Sequence, residues 1–182
     1  MDIGTWTWIA IAVVAVLLVW TAWTLVRLRR LETRVARART TLETQLRRRA
    51  GLADELAAQH PAALGADRAR ALAAAAAECR ATAAPDREAA ENALGRLLRE
   101  LPAELPGVPA ALQEDLAGTS TRVALARRFY NDAVRDTRAL RTRRLPRVLR
   151  LHARRPMPRF FDIDDRLEPL AGSAAGRSPD RP

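Results

Sequence analysis

The chain has 182 residues, 48% of them apolar and 29% charged, and a net charge of +10. That length suits one anchor segment plus one small domain. Aromatic residues make up only 4%, which excludes a thick core packed with rings; a single cysteine, Cys79, excludes an intramolecular disulfide and fits a reducing compartment; and two histidines, His60 and His152, with no Cys or His at ligand spacing, argue against a zinc site.

From Trp6 to Val26 the chain carries no charge and is mostly Ile, Val, Leu and Ala. About 20 helical residues cross a hydrocarbon layer of about 30 Å, so this stretch predicts a transmembrane helix. All four tryptophans fall here, Trp6 and Trp8 near one end, Trp20 and Trp23 near the other. Such rings favour the headgroup level, apolar body inward and N–H toward water, and mark the anchor. Only Asp2 is charged before the span, whereas Arg27, Arg29, Arg30, Arg34, Arg37 and Arg39 follow it against one acid, Glu32. By the positive-inside rule the N-terminus lies outside and the rest in the cytoplasm, at a plasma membrane crossed once. A cleaved secretory signal would need positive charge before the apolar run and small residues at its end, where Trp20 and Trp23 stand instead.

No proline interrupts the chain from Arg27 to Gln59, and Leu28, Leu31, Val35, Ala38 and Leu42 recur at 3-4-3-4 spacing. This predicts a helix continuing unbroken out of the span, coiled-coil-like in its narrow seam, until His60-Pro61 ends it. Residues 62–84 read as one alanine-faced helix, with Leu64 and Leu72 its only large apolar groups. Pro85-Asp86 punctuates: either Asp86 is the N-cap of the next helix or Pro85 itself opens it. Residues 87–101 carry the stripe Ala90, Leu94, Leu97, Leu98, Leu101, with Gly95 inside it. After a loop bearing Pro102, Pro106, Gly107 and Pro109, a long helix is expected from Ala110 to Arg143. Its seam is Leu112, Leu116, Thr119, Val123, Ala126, Tyr130, Ala133, Thr137 and Leu140, widened by Leu125, Phe129 and Val134. The fold class read here is all-α, an N-terminal transmembrane helix continuous with an antiparallel bundle of long helices.

The predicted domains are a transmembrane anchor, 1–26; a cytoplasmic helical bundle, 27–144; a basic segment, 145–161, read either as lying on the membrane surface or as a solvated linker; and a disordered tail, 162–182. From Arg141 to Arg159 there are eight arginines and no acid, interleaved with Val148, Leu149, Leu151 and Met157. If the helices alternate direction, this cluster returns to the bilayer beside the first. Arg27, Arg29, Arg30, Arg144, Arg147, Arg150, Arg154 and Arg155 are then expected at the headgroups of an anionic inner leaflet, each gaining about 1 kcal/mol.

Three stretches carry a family resemblance: Glu91 to Leu98 (ENALGRLL), Leu116 to Thr119 (LAGT), and above all Arg122 to Val134 (RVALARRFYNDAV). Together with Leu42 to Arg48 and the closing Arg159-Phe160-Phe161, they make the chain similar to the LemA family over most of residues 6–161. The motif positions are Arg127, Arg128, Phe129, Tyr130, Asn131 and Asp132. The resemblance implies a membrane anchor followed by long antiparallel cytoplasmic helices, and a family without an established enzymatic activity. The chain departs from the family pattern at Leu52–Glu55, where a proline is usual, and at Ser120-Thr121, where Glu-Asn is usual.

No His, Cys or second acid stands at productive spacing from Asn131, Asp132 or Asn92, so no catalytic, cofactor or metal residues are expected, and no small-molecule substrate. Asn92, Asn131 and Asp132 are expected either in register-setting contacts between helices or solvated. The function expected is a membrane-tethered interaction or scaffold module whose protein partners the sequence does not name. The alternative is a tethered nucleic-acid-binding protein, suggested by +11 on residues 27–182 once Asp2 is set aside. It ranks lower: no recognition motif or aromatic interleaving accompanies the charge.

Overall fold

Helix α1 runs Ile3–Gln59 without a break, 57 residues or about 85 Å. The computed structural model describes residues 3–81, 86–142 and 156–164. Four more helices follow: α2 (Pro61–Leu64), α3 (Ala66–Ala81), α4 (Arg87–Arg99) and α5 (Ala110–Arg141). No strand occurs among the described residues, so the fold is all-α.

His60 leaves helical geometry and Pro61 opens α2, as the His-Pro pair predicts. The single helix expected over 62–84 is instead two, split at Gly65, whose φ of 80° and ψ of 148° only glycine adopts without strain. Asp86 precedes α4 but its side chain caps nothing; its carbonyl accepts the Ala89 and Ala90 amides instead. In the proline-rich loop Leu105 and Val108 turn inward. Gln113 holds that loop, accepting from the Leu105 amide and donating to the Leu105 and Val108 carbonyls.

The chain divides into two compact units, Met1–Thr40 with Arg128–Phe160, and Thr41–Arg127 with Phe161–Pro182. In the first, the Arg34–Asp136 and Glu32–Arg141 ion pairs make α5 run against α1. In the second, Glu43 pairs with Arg87 and Arg49 with Glu91, so α4 advances with α1. Only residues 82–86 separate α3 from α4, and the two helices are in contact, so α3 runs antiparallel to α4; Arg80 of α3 also pairs with Asp54 of α1.

The core of the second unit contains Ala50, Ala53, Ala57, Ala69, Ala76 and Ala90 around Leu56, Leu72 and Leu94. Alanine seams of this kind let helices approach closely, which is how so few rings suffice. The α5 seam from Thr119 to Leu140 is buried as spaced. Its widening falls on one side only: Ala124 and Val134 are buried, whereas Leu125 and Phe129, expected inside, face outward, Phe129 64% exposed. At 100° per residue those two lie on the flank opposite Ala124 and Val134.

Candidate functional site

Three features stand out: the bare apolar length of α1, a buried ionic cluster, and a non-helical segment bound along α4 and α5. Helix α1 is the one described helix long and apolar enough to cross a membrane, by length and composition, and its uncharged run is residues 6–26. Trp6, Trp8 and Trp23 are exposed, Trp8 at 74%, as are the Ile, Val and Leu side chains from Ile9 to Val19. Trp20 is half-buried and sits on a covered stripe with Thr24 and Leu28. The Thr24 hydroxyl donates to the Trp20 carbonyl, so no polar group is stranded there. The Arg27 guanidinium lies over the Trp23 ring, 5.5 Å from its centroid, pairing charge and ring where the apolar run ends. Arg29 and Arg30 are exposed. Arg144, Arg147, Arg150, Arg154 and Arg155 lie outside the described residues.

The ionic cluster is in the second unit. Glu91, fully buried, accepts from Arg49 Nη2 at 2.7 Å, and that guanidinium also donates to the Glu91 carbonyl at 3.3 Å. Arg87 stands between Glu91 and Glu43, its Nε 3.6 Å from Glu91 Oε1 and its Nη1 3.4 Å from Glu43 Oε1. Gly95 borders this cluster: a Cβ there would lie 3.9 Å from Arg49 Nη1 and 3.4 Å from Arg99 Nη1, ordinary contact distances, so packing does not require a glycine inside α4.

Cys79 faces the same cluster. Burial, and then the Glu91 carboxylate, push its thiol up to about 12 from 9.0. Below pH about 9 the thiol is protonated in both folded and unfolded chains. Above it the unfolded chain ionises first, so the fold loses stability as pH rises from 9.0 toward about 12. Maleimide at pH 8 should therefore label Cys79 slowly in the native protein and rapidly in guanidinium; equal rates would contradict a buried, protonated thiol.

Residues 156–164 have no regular secondary structure, yet they are held throughout. In the first unit, Arg141 Nη1 donates to the Pro156 carbonyl at 2.9 Å and Tyr130 Oη to the Arg159 carbonyl at 2.8 Å, while Arg138 lies over Phe160. In the second unit, the Asp162 and Asp164 amides donate to Glu88 Oε1 and Asn92 Oδ1, and Arg99 binds the Asp164 carbonyl. Ile163 is 4% exposed. Residues 162–164, expected to begin a disordered tail, are thus bound to α4; residues 165–182 lie outside the described residues. Replacing Tyr130 by Phe should cost about 1 kcal/mol in urea unfolding, the usual worth of such a bond; an unchanged midpoint would mean the bond adds nothing.

The residues that carry the resemblance separate here. Arg127 reaches Asp162 at 3.9 Å and Tyr130 holds Arg159, while Arg128 and Phe129 face outward. Asn131 is half-buried. Asp132 is exposed and pairs with Arg135 on its own helix, and Asn92 meets the terminal segment, so neither sets a register between helices. No family model, curated protein or solved structure matches the chain.

No group of three or more His, Cys, Asp or Glu suited to a metal ion occurs among the described residues. Sequence reasoning missed both buried arginines. Arg49 stands in the run Arg47-Arg48-Arg49, which does not say which member turns inward. A signal did exist on the partner: Glu91 lies three residues before Leu94, on the apolar stripe of α4. Arg141 likewise extends the α5 seam one turn past Thr137, and its buried guanidinium takes Glu32 at 2.6 Å.

Proposed function

We propose that this chain is a single-pass membrane protein of the LemA type, acting as a non-enzymatic interaction or scaffold module at the inner face of the plasma membrane. The observation that carries this reading is the exposed apolar surface of α1 from Trp6 to Val19. A core helix of a water-soluble protein would be covered by its neighbours; a lipid-facing one is not. The arginines after Val26 favour the orientation with residues 27–182 inside. The Glu32–Arg141 pair sets the end of α5 beside Glu32, six residues or about 9 Å past Val26. That position of the α5 end is what supports the proposal that Arg144, Arg147, Arg150, Arg154 and Arg155 join Arg27, Arg29 and Arg30 at anionic headgroups.

The LemA reading is supported by the meeting of separated resemblance residues: Tyr130 with Arg159, and Asn92 and Arg127 with the segment that follows Phe161. The nucleic-acid reading is weakened, because Arg34, Arg48, Arg80, Arg87, Arg99 and Arg141 are committed to acids on other elements. In-cell crosslinking from exposed positions on α5, such as Phe129, tests the function. Recovery of the same membrane-associated proteins in repeated experiments is expected. Recovery of nucleic acid instead would reverse the ranking.

A further inference from the structure

We propose that α4, together with Arg127, forms a recognition site for an extended acidic peptide, and that residues 161–164 fill it in cis. The spacing of the bonds is the ground for this. The amides of Asp162 and Asp164, two residues apart, donate to Glu88 Oε1 at 3.0 Å and Asn92 Oδ1 at 2.7 Å, four residues apart on α4. Two residues of extended chain advance about 6.6 Å and four of a helix about 6 Å, so alternate amides of an extended peptide meet successive turns in register. A helical peptide would present neither amide.

Between the two bonded amides Ile163 is buried. The flanking acids meet cations: Arg99 donates to the Asp164 carbonyl at 3.1 Å and to its carboxylate at 3.4 Å, and Arg127 lies 3.9 Å from the Asp162 carboxylate. Backbone bonds fix the path and direction, running with α4; the aliphatic position and the two acids supply the selectivity. The site thus reads apolar–Asp–aliphatic–Asp, and a partner segment of that pattern fits it as Phe161 to Asp164 does. This deepens the interaction-module reading and rests on it. A tethered segment holds an effective concentration of order mM, so the resident copy keeps the site closed to weak competitors.

The test uses the full chain in detergent and a fluorescent peptide with the sequence of residues 156–164. Ile163→Asp should empty the site, so the variant should bind the peptide at least about tenfold more tightly than the wild type does, consistent with removal of the cis competitor. A peptide carrying the same Ile-to-Asp change should not bind. If Ile163→Asp lowers helix content, the D162K/D164K double variant, altered only at exposed acids, serves in its place. Equal binding by wild type and a folded variant, or equal binding of the two peptides, would overturn the proposal. Because the measurement is made in detergent, its failure leaves the membrane reading untouched, and misplacement of the chain in cells leaves the peptide site untouched.

Discussion

Glu91→Ala should lower the unfolding free energy by about 3–5 kcal/mol, measured by denaturant titration in detergent. The carboxylate is fully buried and Arg49 is 7% exposed, so removing Glu91 leaves a guanidinium in a low-dielectric core without its counter-charge. Arg87 cannot substitute for it, being another cation. The companion variant decides whether the pair or the volume matters. Arg49→Met with Glu91→Leu removes both charges and refills much of the space, and should fall within about 1–2 kcal/mol of the wild type or exceed it, since replacing a buried ion pair by apolar groups is commonly neutral or stabilising. A single variant that loses less than about 1 kcal/mol would show that water reaches the cluster.

Two arginines in the apolar run should release the chain from membranes. The apolar run holds ten Ile, Val and Leu residues from Ile9 to Val26, each favouring insertion by about 0.3–0.6 kcal/mol, about 3–6 in all. An arginine at the centre of a span costs about 2.5–3.5 kcal/mol, so Val14→Arg should weaken anchoring and Val14→Arg with Leu17→Arg should cancel it. Both positions are exposed on α1, so neither change disrupts packing within the protein. After alkaline washing the wild type should stay in the pellet and the double variant should move to the supernatant. A double variant that pellets as the wild type does would show that something other than this span holds the chain.

The long periodic elements were the legible ones. The unbroken α1, the α5 seam and the His60-Pro61 stop follow from spacing and proline sterics alone, because each repeats over many residues or rests on a hard clash. Gly65 was not read as a break, since a glycine within an alanine-rich run looks the same whether it is helical or turns the chain. Leu125 and Phe129 misled because a wide apolar stripe has two flanks and composition does not choose between them. The binding of residues 162–164 left no periodic signal, since its contacts come from Glu88, Asn92 and Arg99, single polar residues; only Arg159-Phe160-Phe161 and Tyr130 of the neighbouring contacts stood out, as part of the resemblance. The function was least legible, because an interaction surface needs no catalytic constellation to mark it.

In the proposed topology α1 crosses the membrane and everything after Val26 lies on the inner side. Protease added to intact cells producing the chain with an epitope fused after Pro182 measures this directly. The epitope should survive until the cells are permeabilised and then be lost. Digestion in intact cells, with a cytosolic marker still protected, would contradict it.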